Sequence, residues 1–344
     1  MEQRAVLTLE SKELVVVARY VVMGAGAVGQ NTAKELVAVG HEVRLVSRSG
    51  RGGHLPGVEA VAADATDVDR VTELTRGAQA LVNALNPPDY SAWERDWPPL
   101  AAALLGAAER TGAGLVVVGN LYGYGRVDGP MTEQTALHPN GHKGALRVRM
   151  WQEALAAQDA GRVRVTELRA SDYTGPGIGG RTSMLQELVV TPVVKRRPVW
   201  LLVGDPDAPH SWTDVRDTGR LAAVLAQDER SWGRAWHVPS APARSMRQVA
   251  AEVAALVGRG APAVRAIPAP VVTAMGLAVP FLRELAETRH QFDRPFVLDS
   301  SETERVFGMA PTPWEQTLAD TVAFVQDPAA VPGAAGSGIS ATAA

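Results

Sequence analysis

The stretch Gly24-Ala25-Gly26-Ala27-Val28-Gly29 follows a β-rich run, Tyr20-Val21-Val22-Met23, and opens a helix-like run from Val28 to Val39. Three glycines at this spacing, between a strand and a helix, leave few alternatives for the fold. The first allows a tight turn, the second lets backbone approach a diphosphate, and the third lets helix and strand pack closely. The helix start adds free N–H donors and the positive end of its dipole. Glycine-rich turns also arise for structural reasons alone, so the flanking strand and helix carry the weight. The segment predicts a dinucleotide-binding βα turn, with Gly24, Gly26, Ala27, Val28 and Gly29 against the phosphates.

The alternation continues. Gly40 sits at a natural helix C-cap, and His41 to Val46 reads as a second strand. Val58 to Val61 is a short third strand leading to Asp64. A helix at Val68 to Arg76, a strand at Ala80 to Asn83, a helix at Leu100 to Thr111 and a strand at Gly114 to Val118 follow. A loop and a helix from Gly144 to Gln158 come next, then a strand-like run at Val163 to Arg169. This spacing is that of an α/β fold with a doubly wound parallel (Rossmann) sheet. Beyond it Gly175 to Gly180 and the prolines at 192, 198 and 206 break the rhythm. A helix at Ser245 to Val257 and an apolar region at Ile267 to Leu285 predict a smaller, partly helical C-terminal substrate domain.

The expected division is 14–174 for the dinucleotide domain, with 210–240 returning to it. Residues 175–209 and 241–326 form the substrate-binding part, and 327–344 a flexible tail. The tryptophans at 93, 97, 200, 212, 232, 236 and 314 read as core anchors. Asp205, Asp207 and His210, in a proline-broken turn, read as solvated.

Composition excludes several functions. The 344 residues contain no cysteine, so disulfides, thiolate nucleophiles and Cys-ligated zinc are ruled out. A formal net charge of −3 supplies no field for nucleic acid. Glu10, Lys12 and Glu13 interrupt any signal-peptide core, and Val271 to Leu282 is too short to span a bilayer. A cytoplasmic protein, without membrane or nucleic-acid partners, is expected. His138 and His142 are four apart, but Pro139 and Gly141 oppose the helix that would make them metal ligands; no metal is expected.

The strand end Leu45-Val46-Ser47-Arg48 bears on the nucleotide. NAD-specific sites usually place an acid here for the ribose 2′-hydroxyl, whereas this chain offers Ser47 and Arg48. A guanidinium suits a 2′-phosphate, so NADP(H) is favoured over NAD(H). Asp64 is placed to contact adenine or, alternatively, to cap its own loop.

With these pieces the chain resembles the extended short-chain dehydrogenase/reductase superfamily, in its NAD-dependent epimerase/dehydratase branch. The resemblance covers about residues 18 to 325. It rests on Leu81 to Pro88, Gly119-Asn120-Leu121-Tyr122-Gly123-Tyr124-Gly125, Arg169 to Pro176, Ser211 to Asp217 and Val306 to Thr312. It implies that Ala84, Leu85, Asn86 and Tyr173 line the cofactor.

The catalytic positions depart from the pattern. The family's Tyr-Gly-x-x-Lys is here Lys143-Gly144-Ala145-Leu146-Arg147, and its carbonyl-binding Ser/Thr aligns with Asn120. The chain is thus similar to the atypical subgroup that lacks the active-site tyrosine. Lys143 and Arg147 are i, i+4 and share a helical face. A cation beside Lys143, with partial burial, would depress its pKa into the range of proton transfer. Arg147 can take over ribose and phosphate contacts, and Asn120 can donate to a developing oxyanion. Tyr122, Tyr124 and Tyr173 are further candidate acids. The alternative is that Lys143 and Arg147 are a solvated helix face.

Three functions stay open: an NADP(H)-dependent oxidoreductase on a small carbonyl or hydroxyl substrate, a non-redox epimerase, dehydratase or cyclase on the same scaffold, or a catalytically silent NADP(H) sensor. The apolar positions Leu146, Met150, Trp151, Ala154 and Leu155 pack on the sheet or against a second copy in a homodimer.

Overall fold

The computed structural model describes residues 17–328 apart from 53, 88, 180–181, 203 and 277–286. The β-rich residues 14–16, much of the apolar region ending at Leu285 and the tail from Ala329 lie outside the described residues. Eleven strands are described: β1 (Arg19–Met23), β2 (Glu42–Ser47), β3 (Val58–Ala62), β4 (Ala80–Asn83), β5 (Gly114–Asn120), β6 (Val165–Ala170), β7 (Asp172–Thr174), β8 (Val199–Leu201), β9 (Trp212–Asp214), β10 (Ala235–His237) and β11 (Val264–Ala266). The helices that matter here are α1 (Ala27–Ala38), α2 (Val68–Thr75), α3 (Trp93–Thr111), α4 (His142–Asp159), α5 (Thr191–Val194), α6 (Val215–Gln227) and α7 (Met246–Leu256).

Seven strands form one parallel sheet in the order β10-β6-β5-β4-β1-β2-β3. The order runs outward both ways from β1 and β4, so the chain reverses its winding between them. That is where an open α/β sheet forms a crevice at its C-terminal edge. Alternate residues of β1 feed two cores. Tyr20 and Val22 pack with Leu36, Leu221 and Leu225 beneath α1 and α6. Val21 and Met23 pack with Val71, Leu104 and Trp151 beneath α2, α3 and α4. Strands covered on both faces read as unbroken apolar runs, which is why β1 and β4 carry no polar alternation.

A separate core lies outside this sheet. Leu185, Val189, Trp212, Met246, Val253, Phe292 and Leu318 pack together, with α5, α7 and the 314–326 helix around them. Two small parallel pairs, β7 with β9 and β8 with β11, accompany it.

Two expectations need correction. α3 begins at Trp93, not near Leu100, and holds Pro98 and Pro99 within it. Each proline forfeits a backbone hydrogen bond. Burial of Trp93 (2% exposed) and Trp97 (0%) against Leu146 holds the early turns in place of those bonds. Trp200 is not a core anchor; it is 46% exposed on β8. Leu146, Trp151 and Ala154 are buried within this chain.

α1 and α6 cross closely because α6 carries Gly219. A Cβ there would lie 2.5 Å from Asn31 Cβ and 2.8 Å from the backbone of Asn31 and Thr32. Gly219→Val is expected to destabilise the fold by roughly 1–3 kcal/mol through overpacking against backbone that cannot yield. A denaturant midpoint lowered at unchanged slope is the measurement that checks it.

Candidate functional site

The three glycines of the first βα turn are needed for three different reasons. Gly24 has φ +110°, and a Cβ on it would come within 2.5 Å of the Ala84 carbonyl oxygen. It therefore lets the ends of β1 and β4 close on each other, with its N–H donating to Val46 O at 2.8 Å. A Cβ on Gly29 would overlap the Gly24 carbonyl, so that glycine seats α1 against the turn. A Cβ on Gly26 would meet nothing within 4 Å. Gly26 is the N-cap of α1; no side chain caps this helix, and its first turn holds no acid. Unfilled N–H donors and positive dipole thus face open space, with no carboxylate to oppose an anion. These residues fit a diphosphate.

At the β2 and β3 ends, Ser47 Oγ accepts from the Arg51 N–H at 2.9 Å and shapes the turn, while Arg48 is exposed. Asp64 Oδ1 accepts from the N–H and hydroxyl of Thr66, at 2.9 and 2.8 Å. Those bonds, with a smaller pull from Arg48, hold its carboxyl below the usual range. The loop after β4 is shaped by Asn83, whose Oδ1 accepts from the Leu85 N–H at 3.2 Å, so Ala84, Leu85 and Asn86 follow the strand across the crevice from Gly24.

The other half of the site lies where β5 meets α4. Asn120, the last residue of β5, accepts the Tyr122 N–H on Oδ1 at 3.1 Å, leaving its NH₂ as the donor. Tyr122 is half-buried; burial and the neighbouring Tyr90 and Asp172 push its hydroxyl well above the ordinary phenol range, and Arg147 opposes this. Tyr173 lies in β7, its hydroxyl pushed up to about 12 by burial. A Cβ on Gly144 would stand 2.5 Å from the Tyr122 carbonyl oxygen, so a glycine here lets α4 meet the Tyr122 turn.

Lys143 is 1% exposed, so the idea of a solvated helix face fails. The neighbour of its ammonium is also not the one expected. Glu287 Oε2 lies 3.3 Å from Lys143 Nζ, and the Tyr90 ring centroid 5.8 Å away. Arg147 is half-buried and turns inward, its guanidinium 4.3 Å from the Trp97 ring and 5.5 Å from Trp93. Its Nη2 donates to Val118 O at 3.4 Å, and burial lowers its pKa against the attraction of Glu167. The i, i+4 spacing gave a shared face, but rotamer and packing sent the two cations to different partners. Glu287 has no motif around it and lies 144 positions from Lys143. An α4 start without a cap of its own was the one available signal.

Tyr124 does not join this group. It is 1% exposed, its hydroxyl lies 2.6 Å from His237 Nε2, and it accepts from Arg169 Nη1 at 2.8 Å. His237 Nδ1 faces the Asp299 carbonyl at 2.8 Å, so Nδ1 carries the hydrogen and Nε2 accepts the phenol proton. Arg169 continues to Glu167 at 2.7 Å. The turn residues around Tyr124 are held by this buried chain of bonds, which commits its hydroxyl to His237 and Arg169.

His210 is likewise not solvated. It is 2% exposed, 2.9 Å from Asp172 Oδ2, and stacked on Phe292 at 4.9 Å. Asp207 is exposed, as expected, and pairs with Arg247. Among the described residues no three His, Asp or Glu are grouped to hold a metal, and no helix is long and apolar enough to cross a membrane.

Tyr124→Phe removes one donor and one acceptor from a buried network and is expected to cost about 1–3 kcal/mol. Thermal denaturation measures the loss, and dinucleotide affinity per folded molecule should not change. A selective loss of affinity or turnover would return Tyr124 to the site.

No curated protein matches the chain. Solved structures do. dTDP-glucose 4,6-dehydratase from Bacillus anthracis str. Ames, in complex with NAD, superposes with a TM-score of 0.72 at 17% identity, over 90% of this chain and 97% of that one. UDP-glucose 4-epimerase from Thermotoga maritima, with UDP-glucose, gives 0.72 at 16% over 90% and 99%. UDP-glucuronic acid 4-epimerase from Bacillus cereus, in complex with NAD, gives 0.71 at 14% over 90% and 98%. These likenesses establish the fold. The sequence pattern of the NAD dependent epimerase/dehydratase family matches residues 20–238, well over half the chain. With its Rossmann sheet and its glycine-lined crevice, the chain belongs to the NAD-dependent epimerase/dehydratase family of enzymes.

Proposed function

We propose that this chain is an NADP(H)-dependent oxidoreductase-type enzyme acting on a small substrate that carries a hydroxyl or carbonyl group. The reading is carried by two features that follow the C-terminal ends of strands in one parallel sheet. An uncapped α1 start with open space at Gly26 faces the dinucleotide, and a buried ammonium, Lys143, stands at the head of α4. Gly24, Gly26, Ala27, Val28 and Gly29 would hold the diphosphate, with Ala84, Leu85, Asn86 and Tyr173 along the remainder. Arg48 supports a 2′-phosphate over a bare hydroxyl, because it is exposed at the β2 end and Ser47 is already engaged with Arg51. Asp64, whose Oδ1 is held by Thr66, would contact adenine.

The dinucleotide, when bound, supplies hydride chemistry. Lys143 gives or takes the proton at the substrate oxygen, Asn120 donates its NH₂ to charge developing there, and Tyr122 is the alternative acid. Arg147, between the tryptophans and Glu167, holds the wall beneath the ribose. Residues 175–209 and 241–326 supply the substrate-binding part. The named neighbours act on dTDP-glucose, UDP-glucose and UDP-glucuronic acid, so sugar nucleotides are the first substrates to assay. The alternative is a catalytically silent NADP(H) sensor on the same scaffold. Tight NADPH binding without conversion of any substrate would establish that reading.

Titration with NADPH and NADH, followed by turnover assays across hydroxyl and carbonyl substrates, tests the proposal. Conversion is followed both by NADPH absorbance and by product mass, so epimerisation or dehydration without net redox change is also seen. Lys143→Ala is expected to lower turnover by roughly 10²–10⁴-fold while leaving NADPH affinity in place. Equal loss of both would make Lys143 a cofactor contact. Gly26→Val fills open space but is a poorer N-cap, so it should cost only about 1 kcal/mol of stability while dinucleotide binding is lost. Arg48→Asp is expected to weaken NADPH by about tenfold or more, through one charge-assisted contact, and to spare NADH.

A further inference from the structure

The head of α4 has no cap of its own. Its N-cap residue, Gly141, has no side chain to offer, and its first turn contains no acid. The acceptor arrives from Glu287. Oε1 takes the Lys143 backbone N–H at 2.8 Å. Oε2 lies 3.3 Å from Lys143 Nζ and 2.7 Å from His142 Nδ1. A Cβ at position 141 would overlap the Glu287 carboxyl group, so the approach depends on a glycine there. The segment is seated by further contacts. Asn140 Nδ2 reaches Glu287 O at 3.4 Å and His290 Nδ1 at 3.3 Å, and His290 Nδ1 lies 3.1 Å from Glu287 O.

Capping a helix needs one acceptor, and a neutral side chain serves as well as a charged one. Here the second oxygen is turned to an ammonium that is 1% exposed, while the carboxylate itself is 14% exposed. A buried cation without an anion beside it is costly. We propose that Glu287 is a positioning residue for proton transfer by Lys143. One oxygen fixes the start of α4, and the other holds the ammonium at the crevice. This inference rests on the reading of Lys143 as the proton-transfer group. With hydride supplied by NADPH when bound, the substrate C=O π bond would give way to C–H and O–H; the ammonium would give the proton to the oxygen, and the neutral amine left behind would regain one from solvent. Through both halves the Glu287 carboxylate keeps a hydrogen bond to the nitrogen and so holds it in place. Because Glu287 lies well beyond the Rossmann sheet in sequence, seating its segment on α4 is what assembles this part of the site.

The test is Glu287→Gln in the full chain, beside Glu287→Asp, Glu287→Ala and Lys143→Ala. Gln keeps an oxygen for the Lys143 N–H and removes the charge. A positioning role predicts a fall in kcat of about tenfold or more for Gln, with NADPH affinity per folded molecule close to the parent, a melting temperature lowered by the loss of the anion beside the buried ammonium, and partial recovery in Asp. The double variant Lys143→Ala/Glu287→Gln should be no slower than Lys143→Ala. A readout independent of turnover is reductive methylation, followed by peptide mass, at Lys143, one of four lysines (Lys12, Lys34, Lys143, Lys195). Labelling of Lys143 should quicken about tenfold in Glu287→Gln. If Gln matches the parent in kcat and labelling while Ala alone melts lower, Glu287 is a helix cap and the proposal is overturned. If Lys143→Ala keeps full turnover, the proton assignment fails first and this inference with it. Loss in Lys143→Ala but not in Glu287→Gln defeats this inference alone.

Discussion

The site depends on how closely two strand ends approach. The Ala84 carbonyl lies where a side chain at position 24 would be, so β1 and β4 can end side by side only with Gly24 at φ +110°. That contact sits at the reversal of the winding, where helices leave the sheet in opposite directions and a crevice opens between them. Everything placed around the crevice inherits its position from it. α1 starts over the gap because Gly29 lies on Gly24, and α6 settles beside α1 because Gly219 has no side chain. Loosening any of these contacts would move the donors of α1 relative to β5 and α4, which carry Asn120 and Lys143.

The two halves are built on different physics. The end proposed to take the dinucleotide is made of backbone: N–H groups, a dipole and open space, with little demand on side-chain identity beyond the glycines. The α4 end is made of charges in a protein interior. Lys143 faces Glu287, Arg147 lies among tryptophans within reach of Glu167, and Arg169 bonds Glu167 directly. Cations and carboxylates alternate from the crevice into the core. Such an arrangement orients its members only while each keeps a partner.

This difference decides what was legible in the sequence. The doubly wound parallel sheet, most strand positions and the steric roles of Gly24 and Gly29 follow from period, turn chemistry and steric need, all local. α3 was read seven residues short because Pro98 and Pro99 signal a boundary, and tertiary burial of Trp93 and Trp97 outweighed that local cost. His210 read as solvated because its neighbours Pro206 and Asp207 mark a turn, whereas its ring is enclosed by Trp212, Phe292 and Phe296 from distant segments. Tyr124 shares a loop with Tyr122, yet one faces the core network and the other the Tyr90 side. A loop's sequence does not say which way successive side chains point. Glu287 was out of reach for the same reason: an isolated glutamate gains meaning only when the fold brings it to a particular cation.

Under the proposed role of Lys143, the exchange of a phenol for an ammonium has a consequence that can be argued from charge alone. A tyrosine ready to give a proton is neutral, and burying it beside a cofactor costs little once its hydroxyl is bonded. A lysine ready to give a proton is charged, so the same burial carries a desolvation penalty in the very state the chemistry requires. Lys143 at 1% exposure therefore needs an anion that a tyrosine in its place would not. That anion cannot come from the first turn of α4, which contains no acid, nor from Gly141. It has to be brought in by another segment, and that segment must reach the start of the helix without steric obstruction. Gly141 leaves that path open, and Glu287 occupies it. The unusual lysine, the glycine before it and a glutamate from the far end of the chain are three parts of one electrostatic requirement.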